Sequence, residues 1–284
     1  IMGSGATAFV YNGKFNPSRY LSLLQNFKIN VLCCTPTEYR MMAKLDNLDQ
    51  YNLDHLHSAV SAGEPLNREV VEQFRKHFNL TVRDGYGQTE STLLIGFLKD
   101  TEQRPGSMGK AIPGSRVAIV DDEGNKVDTN VKGNIALPLD FPGLFKGYFK
   151  DEKRTKDAHA GDYYITGDLA HIDEDGYFWF EGRRDDIIIS SGYTIGPFEV
   201  EDALTNHEAV KECAVVASPH PIRGNIVKAF IILKEGYKPS DDLVKELQTF
   251  SKKVVAPYKY PRAIEFVEDL PKTNSGKIRR VELR

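Results

Sequence analysis

Between Asp84 and Thr92 the sequence reads DGYGQTEST. A ring (Tyr86), a hydroxyl (Thr89) and a carboxylate (Glu90) fall within five residues, with Gly85 and Gly87 on either side of the ring. A ring can stack on a planar ligand, a hydroxyl can donate to an anion, and a carboxylate can hold a hard cation. The glycines predict a loop whose bare backbone lets a ligand come close. Taken alone, the stretch also reads as a surface turn with Tyr86 half buried.

The flanking sequence indicates what would hold such a loop. In FNPSRYLSLLQNFK, Asn16 can cap a helix and Pro17 can take its first position, with Tyr20, Leu23, Leu24 and Phe27 on one face. INVLCC follows as a buried strand, PTEYRMMAKL as a helix and LHSAVSA as a strand. NREVVEQFRKHF is a helix with Val70, Val71, Phe74 and Phe78 inward, and LTVRDG is the next strand. This alternation predicts a parallel sheet covered by helices. Ligands of such sheets bind beyond the carboxyl ends of the strands, where both SAGEPL (61–66) and DGYGQTE fall.

From about Ser107 the texture changes to short strands. SRVAIVDDEGNKV reads as a hairpin, followed by GNIALPL and DYYITGDLAHIDEDGYFWFEGR, which together predict a small β subdomain over about 107–184. After the charged GRRDD the pattern becomes helix, two strands, helix, strand, a compact α+β unit of about a hundred residues. The expected fold is therefore α/β and α+β: residues 1–184 as part of a large sheet-and-helix domain, and 185–284 as a small domain.

Composition excludes several function classes. The 284 residues are 40% apolar and 27% charged, with a net charge of -3. The isoelectric point near 6.2 gives no electrostatic reason to expect nucleic acid as a partner. No apolar run approaches the ~18 residues of a transmembrane segment. Cys33, Cys34 and Cys213 lie in apolar strand-like runs and read as small buried hydrophobes, which points to a reducing compartment. IMGSGATAFVYNG lacks the basic and apolar regions of a secretion signal.

Five stretches along the chain carry polar chemistry, the opening one among them: SAGEPL, YGQTE, YITGDL, GRRDDIIISSGYTIGPFEVE and PKTNSGKIRR. Singly they have plain readings. SAGEPL is a strand-to-helix turn, Asp168 a turn aspartate after glycine, Arg183 a solvated arginine, and Lys277 one cation in a basic tail. In this order and register they resemble the AMP-forming acyl-CoA synthetases, members of the adenylating superfamily. SSGYTIGP, VKAF, APYKYPR and LPKTNSGKI are most similar to the medium-chain branch.

The resemblance implies a reaction in which a carboxylate attacks the α-phosphate of ATP and expels pyrophosphate, with Mg2+ bound. It puts Tyr86 against the adenine, with Asp84, Gly85, Gly87 and Gln88 beside it and the backbone near Gly63 along the base. Thr89 would donate to the α-phosphate or the substrate carboxylate, and Glu90 would hold the metal. Asp168 would accept from both ribose hydroxyls and Arg183 would reach ribose or phosphate. Lys277 would be the central catalytic residue, its charge stabilising the phosphorus centre during adenylation, with Thr89 assisting.

In the second half-reaction coenzyme A takes the acyl group. The resemblance implies that the small domain first turns about Asp185, carrying Lys277 out and SSGY in. Ser191, Gly192 and Tyr193 would then line the pantetheine path, and Arg223, Lys252 and Tyr260 would contact the coenzyme A nucleotide. Relatives in this branch carry arginine where this chain has Thr194, so part of that charge complement is absent.

The Ser/Thr/Gly-rich phosphate loop of these synthetases, ending in lysine, does not occur in the sequence; IMGSGATAF has neither the hydroxyl run nor the lysine. The chain thus reads as the carboxyl-terminal portion of an acyl-CoA synthetase, inactive by itself. Two alternatives remain at this point: an adenylation domain that loads a carrier protein, and a non-catalytic adenylate-binding fragment. The expected substrates are a small carboxylic acid, ATP and coenzyme A, and the expected location is the cytoplasm, with the mitochondrial matrix as the alternative.

Overall fold

The computed structural model describes residues 5–273 and 277–284. The chain divides into two units, Ile1–Gly85 and Tyr86–Arg284.

In the first unit, α1 (Pro17–Asn26) begins as expected: Asn16 Oδ1 accepts from the Arg19 N–H at 2.9 Å and Pro17 opens the first turn. Its inward stripe differs from the predicted one. Leu21 and Leu24 are buried, whereas Phe27 is 58% exposed, because the helix has ended and Phe27 stands beyond the stripe as its C-cap. β1 (Val31–Cys34) leads to α2 (Pro36–Ala43), where Thr35 and Glu38 form a capping box. β2 (Ser58–Ala62), α3 (Arg68–Phe78) and β3 (Val82–Gly87) follow. The strands run parallel in the order β1-β2-β3, with Cys34 opposite Ser61 and Ser61 opposite Asp84. Tyr39, Met42, Val70, Phe74 and Val82 fill the core.

The expectation that β1 and its cysteines are buried is wrong in part. β1 pairs with β2 alone among the described residues and alternates its faces. Leu32 and Cys34 pack on the core, while Val31 and Cys33 point outward and are exposed. Burial pushes the Cys34 thiol up from its ordinary value. Of the three cysteines only Cys213 is fully buried.

The second unit opens with an antiparallel sheet. Its strands are β4 (Leu93–Gly96), β5 (Gly109–Ala111), β6 (Ala118–Val120) and β7 (Gly133–Pro138). The short α4 (Glu152–Asp157) and β8 (His159–Ala160) lead into β9 (Tyr163–Ile172) and β10 (Tyr177–Arg183). The order is β4-β5-β10-β9-β7-β6, with β8 on β9. The predicted DDEG hairpin closes through a single bridge, Val120 to Lys126, and the ladder partner of β6 is instead β7. Leu94, Ile95, Ile135, Leu137, Tyr164 and Phe178 form the core of this part.

A 3-10 turn, Arg184–Asp186, separates it from a second sheet. There β11 (Ile188–Ser190) and β12 (Tyr193–Ile195) precede α5 (Pro197–Thr205), β13 (Val210–His220), β14 (Gly224–Leu233), α6 (Asp241–Val254) and β15 (Ala263–Phe266). The order is β12-β11-β14-β13, with β15 parallel to β14. This sheet has its own core around Ile188, Val200, Leu204, Val215, Ile231 and Leu247. Among the described residues, no helix is long and apolar enough to cross a membrane.

Candidate active site

β9 and β10 pair so that Asp168 lies opposite Arg183 in the ladder. This register alone puts a guanidinium beside a carboxylate, with Arg183 Nε 3.7 Å from Asp168 Oδ1. The other oxygen, Oδ2, accepts from Tyr86 Oη at 2.7 Å and from Gln88 Nε2 at 2.7 Å. Gln88 also donates to the Thr166 carbonyl at 3.0 Å, and Tyr164 Oη donates to Gln88 Oε1 at 3.3 Å. Thr166 is tied in turn to the Ile135 carbonyl at 2.9 Å. Residues separated by some eighty positions in sequence are thus joined by a closed set of hydrogen bonds.

Asp168 is buried, and burial raises its carboxyl above the usual range. The Tyr86 bond, the Arg183 charge, the Gln88 bond and the Lys277 ammonium each pull it back toward the ionised form. Lys277 is therefore near enough to act on Asp168 electrostatically. Two hydrogen bonds hold its backbone to Thr273: the Thr273 N–H donates to the Lys277 carbonyl at 2.8 Å, and the Lys277 N–H donates to Thr273 Oγ1 at 3.1 Å. Asn274, Ser275 and Gly276, which belong to the same motif, lie outside the described residues.

The bare loop expected at DGYGQTE is only partly a loop. Asp84 to Gly87 are extended as the end of β3, and the chain turns at Gln88 to Ser91. Gly87 is required by that turn: a Cβ there would stand 2.4 Å from the Thr92 carbonyl oxygen. Tyr86 packs beside the core of Leu94 and Ile95, and its hydroxyl is committed to Asp168. Thr89 is exposed. Glu90 accepts from Tyr148 Oη at 2.9 Å, and its carbonyl accepts from the Phe145 N–H at 2.7 Å. A single fixed, partly exposed carboxylate suits a magnesium ion whose other ligands are phosphate oxygens and water.

In the first unit, Gly63 follows β2 with φ +102. Beside it, Glu64 Oε2 accepts from Thr37 Oγ1 at 2.7 Å and Arg40 Nη2 at 3.1 Å, and Arg40 also holds Asn67 at 3.0 Å. Ser61 Oγ and Glu64 Oε1 are buried without a hydrogen-bond partner among the described residues. Sequence reasoning singled out Gly63 and missed this polar cluster, because its members come from α2 and the β2–α3 turn. Asp84 Oδ1 accepts from the Gly85 N–H at 2.9 Å, and burial pushes its carboxyl up to about 7.

The residues expected to meet coenzyme A fall into three groups. Ser191, with φ +50, and Gly192, with φ +81, form the β11–β12 turn. Arg223 Nη1 donates to Ser191 Oγ at 3.0 Å. Tyr193 stacks on Tyr258, with centroids 4.4 Å apart. Lys252 Nζ stands 4.0 Å above the Tyr260 ring, and Arg262 Nη1 donates to Tyr260 Oη at 2.8 Å. Tyr258 and Arg262 were not singled out from sequence, although both lie in the quoted APYKYPR. Asp185 sits in the 3-10 turn between the two sheets.

Comparison with known proteins bears on the whole arrangement. The AMP-binding enzyme family model matches residues 1–149, and the model of the AMP-binding enzyme C-terminal domain matches 199–277. An uncharacterized acyl-CoA ligase, YtcI, of Bacillus subtilis (strain 168) is 64% identical over 100% of this chain and 54% of its own length. The mitochondrial acyl-coenzyme A synthetase ACSM3 of Mus musculus is 50% identical over 99% of this chain and 49% of its own. Among solved structures, the anthranilate CoA ligase AuaEII in complex with anthranoyl-AMP superposes with a TM-score of 0.87 at 36% identity, covering 94% of this chain and 52% of that one. A benzoate CoA ligase from Burkholderia xenovorans LB400 gives 0.87 at 32% identity, covering 99% and 56%. The chain spans about half the length of the curated relatives it matches.

Proposed function

This chain belongs to the AMP-binding enzyme family, and from that premise we propose that the protein containing it is an AMP-forming acyl-CoA synthetase. It joins a carboxylic acid to AMP and then passes the acyl group to coenzyme A. The observation that carries this reading is the convergence of Tyr86, Gln88 and Arg183 on Asp168, at a carboxylate on which the Lys277 charge also acts.

In the first half-reaction an oxygen of the substrate carboxylate bonds to the α-phosphorus of ATP as the bond to pyrophosphate breaks. Negative charge builds on the phosphoryl oxygens, and Lys277 is the cation that meets it. Asp168 fixes the ribose through its carboxylate, which Tyr86 and Gln88 hold in one orientation. Magnesium, bound through Glu90 together with phosphate oxygens and water, would supply Lewis-acid charge neutralisation. Thr89 is the hydroxyl on the same turn that donates to the α-phosphate or the acid.

In the second half-reaction the coenzyme A sulfur bonds to the acyl carbon and AMP departs. Ser191, Gly192 and Tyr193 line the approach. Arg223, and Lys252 with Tyr260 and Arg262, supply cations and rings for the nucleotide end of coenzyme A. The division at 185, with Asp185 as the pivot of a mobile small domain, is part of the same reading and is supported by the separate cores on either side of the turn. The small side chains of Ser91 and Thr92 favour an acid larger than acetate. A cytoplasmic location is part of the same reading, supported by a bacterial relative at 64% identity.

The test is product analysis on the full-length protein with ATP, Mg2+, coenzyme A and a panel of acids from acetate to octanoate and benzoate. AMP, pyrophosphate and acyl-CoA in equal amounts are expected. ADP and phosphate as products would contradict the reading.

A further inference from the structure

Immediately after Lys277 the chain makes a set of contacts that the reaction as described does not use. Arg280 donates to both oxygens of Glu201, at 2.7 Å to Oε2 and 2.9 Å to Oε1, and its Nε adds a bond to Oε1 at 3.2 Å. Glu201 is buried on α5 and also accepts the Val215 N–H at 2.7 Å, so it is fixed from a second side. The free edge of the same guanidinium, Nη1, lies 3.7 Å from Asp186 Oδ2. The other Asp186 oxygen accepts from Arg284, at the last residue of the chain. Two carboxylates and two guanidiniums thus form a neutral cluster. Ile278 and Leu283, between them, pack on Ala214, Val216 and Phe230 of the small sheet.

Asp186 is the residue directly after Asp185 in the 3-10 turn between the sheets. Arg280 is three residues from Lys277, a span of about 10 Å at most when extended. A backbone rotation at the pivot would therefore reach Lys277 through ion pairs as well as through the length of the small domain. We propose that Asp186, Arg280 and Arg284 are positioning residues that lock the turn beside the pivot to the segment 277–284, so that Lys277 enters and leaves the phosphate site with that turn. This inference rests on the reading of Lys277 as the adenylation lysine. The chemistry of the pairs fits such a role: the Arg280–Glu201 fork is directional as well as charged, and a partly buried pair is screened less than an exposed one.

Removing Arg280 would leave Glu201 buried without its main partner, which risks unfolding. The informative variants are therefore Asp186→Asn and Arg284→Gln, made in the full-length enzyme, because both leave the Arg280–Glu201 fork in place. For Asp186→Asn, the kcat of acid-dependent pyrophosphate exchange should fall about tenfold or more, as expected when a reacting group is misplaced by a fraction of an ångström. The KM for ATP and the rate of thioester formation from supplied acyl-adenylate should stay within about twofold, since neither needs Lys277 in place. Amide hydrogen exchange over 277–283 should accelerate at the same time. Arg284→Gln should shift the same quantities in the same direction by less. Equal losses in both half-reactions, no loss in either, or unchanged amide exchange would overturn the inference. A wild-type enzyme with no acid-dependent exchange would instead overturn the functional reading on which the inference rests, and the amide exchange would still report on the lock itself.

Discussion

Tyr86 donates its hydroxyl to Asp168 Oδ2 at 2.7 Å, linking the end of β3 to the middle of β9. The ring that the sequence offers for stacking thus also orients the carboxylate expected to hold the ribose. Among the influences that favour the ionised form of Asp168, against the burial that opposes it, the Tyr86 bond comes first.

Tyr86→Phe keeps the ring and deletes that bond. Asp168 should then ionise at a higher pH, and the acid limb of the kcat/KM profile for ATP should move upward. A lost hydrogen bond to a charged group is worth about 1.5–3 kcal/mol, so kcat/KM should fall by about tenfold or more at neutral pH. A profile that superposes on the wild type would show that the hydroxyl does not act through Asp168.

Asp84 gives a stability prediction with a definite sign. Its carboxyl is raised by burial from 3.8 to about 7. Below pH 3.8 the folded and unfolded chains are both protonated at this site. Between pH 3.8 and about 7 the unfolded chain releases the proton first, so the folded state loses stability as pH rises. Asp84→Asn can still accept the Gly85 N–H but carries no charge. The melting-temperature gain of the variant over its parent should therefore grow from pH 4 to about 7 and then level off. A gain that is constant across that range would contradict the raised value.

Two glycines in the second unit separate steric need from conformational need. A Cβ on Gly196 would stand 1.9 Å from the Glu181 carbonyl oxygen, a backbone atom that cannot swing aside. At Gly192, with φ +81, a Cβ would meet nothing within 4 Å. Gly192→Ala should cost roughly 1–2 kcal/mol of backbone strain. Gly196→Ala should cost more, lower the melting temperature further, and speed tryptic cleavage at Arg183 and Arg184 as β10 and the start of α5 move apart. Equal stability of the two variants would show that the contact at Gly196 relaxes freely.

Much of the fold was legible because local signals agreed with each other. Asn16 and Pro17 start α1, PTEYRMMAKL reads as the helix that becomes α2, and the alternation of strand and helix gives the parallel sheet. Two errors concern burial. Helical spacing puts Phe27 on the inward face and an apolar run puts Cys33 inside, but one stands past its helix end and the other on the outer face of a strand paired on one side. Within the site, the motifs point to Tyr86 and Asp168, which the structure brings into one hydrogen bond. The bond from Gln88 to Asp168, the support of Glu90 by Tyr148 and the clamp of Arg280 on Glu201 were not legible, because each joins residues more than fifty positions apart that only the tertiary fold brings together. Glu64 was passed over for the same reason: its partners Thr37 and Arg40 lie more than twenty residues earlier.

Adenylation by this enzyme requires Lys277 to share a site with Asp168 while the acyl-adenylate is made. The measurement that tests this most directly compares wild type and Lys277→Ala in the full-length enzyme in two assays: acid-dependent exchange of labelled pyrophosphate into ATP, and acyl-CoA formation from supplied acyl-adenylate. The account predicts that the variant loses exchange by at least about a hundredfold, as when a charge aimed at the transition state is removed, while acyl-CoA formation from the adenylate stays within a few-fold of wild type. Equal loss in both assays, or full exchange without the lysine, would contradict it.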